Sequence, residues 1–411
     1  MSSKPLRILY FRNARGISDV TGAESYVFAL MQALDPAQVE TRLLATVRPG
    51  QTDTPWIIEA RRRGLPLQLV EVDSRFGMQD LHALRAAIRD WGADIVHTLD
   101  HRADIVGWRG ARAENCALIN AFFGWTNFTG GFSMGSLYAF LDRKVQARAD
   151  AVITDSGYMA SFAGSGARRS PVVVVHNGVD AGRFEPSGAH GDLRERFFGQ
   201  RDVTVFGTVG RVHPNKGQLE LIAAAKRLCP KYPSLRFLII GAAPPGWEAY
   251  RDEVRNAITA AGLQERVVFD NVPSSDIPAV LSSLDALVSP SHVESFSYSL
   301  LEAMSMALPI IATDVGGNRE MMVPDDSGII IPAGDVDAIF NACQRLLDDA
   351  ALRARLGQRA RERLLERFTL AAMARRTTDI YRAVLASRRE RLAPAAARER
   401  LQRLSAVPVG Q

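Results

Sequence analysis

The sequence predicts an α/β protein built from two Rossmann-like domains. Three observations carry that expectation. The chain has 411 residues, more than a single hydrophobic core ordinarily organises and enough for two domains of roughly 200 residues each. Short apolar runs alternate with amphipathic stretches, and the alternation restarts after about residue 200. The short runs are apolar at every position rather than at every second one, as in parallel strands covered on both faces.

In chain order, the first half offers strands at 7–11, 41–45, 67–72, 95–98, 118–121, 151–154 and 172–176, with helical patterns such as 23–34 and 78–91 between them. The second half offers strands at 203–208, 236–241, 267–269 and 286–289, separated by helical patterns at 219–228, 250–261 and 277–284. The stretch 185–200 carries Pro, Gly and charge but no strand pattern, and reads as a linker. The expected domains are therefore 1–190 and 191–368, followed by an Arg-rich helical tail over 369–411, punctuated by Pro394 and Pro408. A solvated helix and a membrane-surface or partner contact are both open for that tail.

Composition narrows the function. A hydrophobic content of 47% with 23% charged residues fits a soluble globular chain. No apolar run is long enough to span a bilayer. The opening residues lack a signal-peptide pattern, which predicts a cytoplasmic protein. Cys116, Cys229 and Cys343 lie far apart and read as small buried hydrophobes. Seven histidines form no H-E-x-x-H or H-x-H cluster, so no metal site is expected. The net charge of +5 suits phosphate-bearing ligands or an anionic membrane face. Nucleic acid is not expected, because basic and acidic residues interleave without an aromatic-basic ladder. The first strand is not followed by G-x-G-x-x-G, which argues against a nicotinamide dehydrogenase. The oligomeric state leaves no sequence signal.

Open α/β sheets bind ligands beyond the carboxyl ends of their strands, so the loops after strands are where chemistry belongs. After the strand ending at Ser289, a loop runs through Glu294, and Ser297 or Ser299 can cap the helix that follows. A helix N-terminus is a ready anion site. Glu302 lies about one turn into that helix. Two carboxylates beside an anion site suit hydroxyl groups of the same ligand, and a sugar nucleotide has that pattern: anionic in the middle, hydroxylated at both ends. Alone, Glu294 is equally a favourable charge for the helix dipole and Glu302 a carboxylate satisfied by a neighbour. After the strand at 203–208 comes GTVGRVHPNKGQ, in which Gly207 and Gly210 permit close backbone approach and Arg211 and Lys216 can neutralise a diphosphate without a metal. It lacks the P-loop pattern. By themselves those two are ordinary solvated loop cations.

Together, Gly210-Arg211…Lys216-Gly217, Glu294-Ser-Phe-Ser-Tyr-Ser-Leu-Leu-Glu302 and the run from Pro309 to Glu320 resemble the donor half of the retaining glycosyltransferases of family 4. The resemblance extends over nearly the whole chain. Thr21-Gly-Ala-Glu24 is similar to the family's first-domain glycine loop, Asp94-Ile-Val-His97 to its fourth-strand signature, and His176-Asn-Gly-Val-Asp180 to the segment closing the first domain.

The resemblance implies the GT-B fold, two Rossmann-like domains facing across a cleft, with the C-terminal helix returning toward the N-terminal domain. It implies an acceptor in the first domain and a UDP-sugar donor, or a GDP-sugar, in the second, with no cofactor required. By the same resemblance, Arg211 and Lys216 would hold the diphosphate, Glu302 the ribose hydroxyls and Glu294 the transferred sugar. Backbone groups at Phe296, Ser297, Tyr298 and Ser299 would meet phosphate or sugar oxygens. Gly22 would admit a donor phosphate, and the base would sit near Gly241, Asn271 and Val272. The acceptor would be a glycan, a glycolipid or a lipid-linked precursor, which makes peripheral contact with a membrane's inner face an expectation too.

The chain departs from the family pattern in places. Phe123 stands where a histidine commonly contacts the donor's 6-hydroxyl, so either the donor lacks that group or His101 or Asn127 substitutes; His97 completes this expected sugar pocket. Ser295 and Ser297 replace the usual glycines. Arg61-Arg-Arg63 reads as an exposed basic helix end or as a membrane contact. The competing functions are a GT-B nucleotide-sugar epimerase or phosphorylase, and a non-catalytic nucleotide-sugar-binding protein.

Overall fold

The computed structural model describes residues 4–15, 17, 22–73, 77–124, 144–164, 170–186 and 193–407. The chain folds into two compact units, one of Met1–Gly178 with Leu370–Gln411, the other of Val179–Thr369.

The first unit holds a seven-stranded, all-parallel sheet. Its strands are β1 (Leu6–Asn13), β2 (Val39–Val47), β3 (Leu67–Glu71), β4 (Ile95–Thr98), β5 (Ala117–Phe122), β6 (Ala151–Thr154) and β7 (Val172–Val174), in the order β3-β2-β1-β4-β5-β6-β7. Side chains of β1 alternate between two cores: Ile8 and Tyr10 join one cluster, Leu9 and Phe11 the other. Burial on both faces is why these strands show no polar alternation in sequence.

The second unit repeats the plan with β8 (Thr204–Val209), β9 (Leu235–Ile240), β10 (Val267–Asp270), β11 (Ala286–Ser289), β12 (Ile310–Thr313) and β13 (Ile329–Ile331), in the order β10-β9-β8-β11-β12-β13, all parallel. Phe206, Phe237 and Val288 face one core; Val205, Leu238 and Leu287 face the other.

The first unit ends at Gly178, upstream of the expected boundary at 190, because Val179 and Phe184 insert into the second unit's core. Val179 pairs with Thr369, and its N–H donates to the Phe368 carbonyl at 3.0 Å, so the chain enters and leaves this unit at one place.

The helix Leu370–Arg389 returns to the first unit. It buries Met373, Ile380, Tyr381 and Val384 in the same cluster as Ile8 and Tyr10. The tail then breaks at Arg391, which has φ +51°, and resumes as the helix Pro394–Gln402. Some of its arginines form ion pairs, such as Arg388 with Asp150 at 3.0 Å and Arg400 with Glu390 at 2.7 Å. Arg61 likewise pairs with Asp53, and Arg62 and Arg63 share Glu59, so the basic run at 61–63 is offset in part by two carboxylates. No helix among the described residues is long and apolar enough to cross a membrane.

Candidate functional site

In the second sheet the strand order reverses between β8 and β11, and the crevice beyond their carboxyl ends is the favoured ligand site of such a sheet. Arg211 and Lys216 follow β8, and Glu294 follows β11. The fold thus brings the two separate sequence motifs to one point.

There the Lys216 Nζ donates to Glu294 Oε1 at 2.5 Å, with the two side chains only 19% and 9% exposed. The Ser291 hydroxyl donates to the same carboxylate oxygen at 2.8 Å. Arg211 is exposed, and its carbonyl accepts from Gln218 Nε2 at 2.9 Å. The ammonium is anchored, while the Arg211 guanidinium has no side-chain partner among the described residues and can meet an anion.

The loop carrying Glu294 is clamped from both sides. Gly217 has φ +67°, and a side chain there would overlap the Pro290 carbonyl. Gly316 has φ +55°, and a Cβ there would overlap the Glu294 carbonyl oxygen. The Gly317 N–H donates to Ser295 O at 2.8 Å, Thr313 Oγ1 to Ser291 O at 2.5 Å, and the His292 N–H to Asn215 O at 2.8 Å. His292 Nε2 lies 2.9 Å from Glu220 Oε1, which ties the loop to the helix Gln218–Leu228. Ser291, His292, Thr313 and Gly316 are supporting residues that sequence reasoning missed; the serine-rich run and the Gly-Gly turn were their only signal. Replacing Gly316 by alanine is expected to cost at least about 1–2 kcal/mol through the left-handed backbone alone. It should also lower turnover by displacing Glu294, as thermal melting and a transfer assay on the same variant would check.

The helix Tyr298–Ser305 follows Glu294. Ser297 occupies its N-cap position without capping it, because its hydroxyl engages Ser299 Oγ at 3.0 Å. Among the described residues Ser297 thus leaves the first turn without a capping side chain, and a helix N-terminus of this kind suits an anion. Phe296 is buried against Phe368 and anchors the turn. Glu302, on this helix, is half-buried, and burial pushes its carboxyl up to about 7 despite the opposing pull of the Arg183 guanidinium. Among the described residues its carboxylate has no hydrogen-bonding partner.

Gly210 has open space where a side chain would be, whereas Gly241 packs its Cα against the Gly210 carbonyl. The side chain of Val272 is buried, and Asn271 is exposed with its N–H held by Asp270 Oδ1 at 2.7 Å. The end of β10 therefore presents the Asn271 side chain, with that residue's N–H already engaged.

The residues placed in the first domain fare differently. Gly22 begins the helix Gly22–Ala33, exposed and with nothing near a would-be Cβ. Glu24 of the same motif is buried and bridged by Arg12 at 2.8 Å, so it is a structural anchor. His97 must be corrected from pocket residue to core residue. It is fully buried, its Nδ1 lies 2.8 Å from the Tyr381 hydroxyl, and burial pulls its pKa down to about 3, which keeps it neutral. Phe123 is half-buried and packs on Tyr26 with ring centroids 4.7 Å apart. His101 is exposed at the start of the helix His101–Ala113. Asn127 lies outside the described residues.

Known proteins with the same arrangement agree on the class. Residues 193–363 match the family model described as glycosyl transferases group 1, and residues 21–178 match the glycosyl transferase 4-like domain. The chain is 31% identical over 213 residues to the UDP-Gal:alpha-D-GlcNAc-diphosphoundecaprenol alpha-1,3-galactosyltransferase of Escherichia coli, covering 51% of this chain and 54% of that protein. It is 28% identical over 240 residues to the lipopolysaccharide core biosynthesis mannosyltransferase LpsB of Rhizobium meliloti, covering 58% of this chain and 67% of that one. The chain thus spans about half the length of the first relative. Anabaena Alr3699/HepE, solved in complex with UDP-glucose, superposes with a TM-score of 0.78 at 20% identity over 94% of this chain and 100% of that one, a likeness of fold. With both halves matched by glycosyltransferase models, the chain belongs to the family 4 glycosyltransferases and has their GT-B fold of two Rossmann-like domains.

Proposed function

We propose that this glycosyltransferase moves a sugar from a nucleotide-diphosphate sugar to a hydroxyl of a glycan, glycolipid or lipid-linked acceptor, with retention of anomeric configuration and without a metal. The observation that carries the reading is the anchored Lys216–Glu294 pair beside exposed Arg211 at the switch point of the second sheet. A UDP-sugar is favoured, because the E. coli relative is named for UDP-Gal and HepE was solved with UDP-glucose. A GDP-sugar is the alternative. The diphosphoundecaprenol in the name of the E. coli relative favours a lipid-linked acceptor and, with it, peripheral work at the inner face of a membrane.

In this reading Arg211 and Lys216 stabilise the negative charge that builds on the diphosphate as the anomeric C–O bond breaks. Glu294, freed in part from Lys216 by the incoming phosphate, accepts a hydroxyl of the transferred sugar. Glu302 accepts the ribose hydroxyls, and the first-turn N–H groups after Ser297 meet phosphate oxygens. The acceptor oxygen bonds to the anomeric carbon on the face the phosphate leaves, its proton passes to a phosphate oxygen, and nucleoside diphosphate is released. No protein nucleophile is needed.

The test is a melting screen with UDP, GDP and ADP in EDTA, followed by transfer from the best-matched donor with the product anomer read by proton NMR. Expected are a rise in Tm by linkage and a product of unchanged anomeric configuration. An inverted product, or activity only on adding a divalent metal, contradicts the proposal. A donor panel that includes 6-deoxy sugars decides what Phe123 selects.

A further inference from the structure

Trp247 is a large aromatic side chain left 38% exposed, and it joins neither core cluster of the second unit. It stands at the end of the turn after β9, where its N–H donates to Pro244 O at 3.0 Å. Its ring meets that of His213, with centroids 4.1 Å apart and planes tilted by 57°. The two loops that carry them run side by side beyond their strands: the Gly210 N–H donates to Ile240 O at 2.9 Å and the Val212 N–H to Ala242 O at 2.8 Å.

The chemistry of His213 locates the pair further. Its Nδ1 accepts the Asn215 N–H at 3.1 Å, which fixes the ring with its remaining proton on Nε2. Burial first, then the charges of Arg211 and Lys216, hold its pKa below the ordinary histidine value. The imidazole is therefore a neutral ring close to both cations, not a third cation. In the sheet order β10-β9-β8-β11, the loops after β9 and β8 fall between the end of β10, with Asn271, and the loop of Glu294 after β11.

We propose that the Trp247 indole, backed by His213, is a stacking shelf for the nucleobase of the donor. The inference rests on the reading that the second unit binds the donor nucleotide. A nucleotide held by its diphosphate at Arg211 and Lys216, with its base toward β9 and β10, brings the base across the exposed indole. Stacking covers apolar surface that the fold leaves wet. Every base has a π-face, so this grip tolerates uracil and guanine alike. The shelf supplies affinity, and discrimination between bases falls to hydrogen-bonding groups at the end of β10, where Asn271 is exposed.

The experiment compares Trp247→Ala and Trp247→Phe with the wild type by calorimetric titration of UDP, GDP and inorganic pyrophosphate. Trp247→Ala should weaken UDP and GDP by a similar factor, on the order of tenfold, Trp247→Phe should recover most of it, and pyrophosphate should bind all three proteins equally. The Trp247 fluorescence, read as the difference between wild type and Trp247→Phe, should be quenched by UDP. Unchanged UDP and GDP affinity in Trp247→Ala, an equal loss for pyrophosphate, or an unquenched Trp247 each overturns the shelf. Failure of the underlying reading is distinct: the wild type itself then binds no nucleotide.

Discussion

Replacing Lys216 by alanine is expected to lower the turnover of sugar transfer by about 10²–10³-fold, which corresponds to about 2.7–4 kcal/mol of lost transition-state stabilisation. Two physical effects add in this direction. The departing diphosphate loses a fixed ammonium at the moment its charge develops. Glu294, 9% exposed and 2.5 Å from that ammonium, keeps, among the described residues, the Ser291 hydroxyl at 2.8 Å as its partner. A carboxylate that has lost its ammonium partner is held less firmly in place, which blunts its grip on a sugar hydroxyl. The effect should fall on kcat more than on KM, because the developing charge exists only in the transition state. Initial rates at saturating donor check it, and melting of the same variant separates a catalytic loss from unfolding. Wild-type turnover in Lys216→Ala would remove the electrostatic role.

The second large effect belongs to Glu302 and is visible through pH. Its carboxyl titrates at about 7 in the fold against an ordinary 4.5. The folded chain therefore holds a proton that the unfolded chain has released between those values. Where the folded state binds the extra proton, stability falls as pH rises. Glu302 thus lowers stability progressively from about pH 4.5 to about pH 7, and the loss is complete above that. Glu302→Gln should melt with a flatter dependence across this window and be the more stable protein at pH 8. Binding should respond in the opposite sense. Ribose hydroxyls that donate to the carboxylate favour its ionised form, so nucleotide uptake near pH 6.5 should release a proton, measurable by titration in buffers of different ionisation enthalpy. Glu302→Gln should release none and bind UDP about 10–100-fold more weakly, the worth of hydrogen bonds to a charged group. Equal UDP affinity in both proteins contradicts the assignment.

Much of this was legible in the sequence because the information is local. The unbroken apolar runs marked buried parallel strands, and the positions of Arg211, Lys216 and Glu294 just after such runs placed them at the ligand-binding edge of a sheet. What stayed hidden depends on long-range packing. The pairing of Lys216 with Glu294 joins residues 78 apart. His97 sits at the end of a strand, where pocket residues belong, yet Tyr381 arrives from 284 residues downstream and closes over it. The first boundary moved because Val179 and Phe184, two apolar residues in a polar stretch, are enough to commit their segment to the second core. The exposed pairing of Trp247 with His213 joins two loops whose proximity follows only from the β8–β9 ladder.

The central claim is that the second unit holds a nucleotide diphosphate by fixed cations at the β8–β11 switch point. Calorimetric titration of UDP into the wild type and Lys216→Ala, both in EDTA, tests it most directly. One-site binding by the wild type in the absence of free metal, weakened at least tenfold in a folded Lys216→Ala protein, is the predicted result; at about 1.4 kcal/mol, that is the least a lost charge-assisted contact should cost. Binding that requires a metal, or that is as tight in the variant as in the wild type, would contradict it.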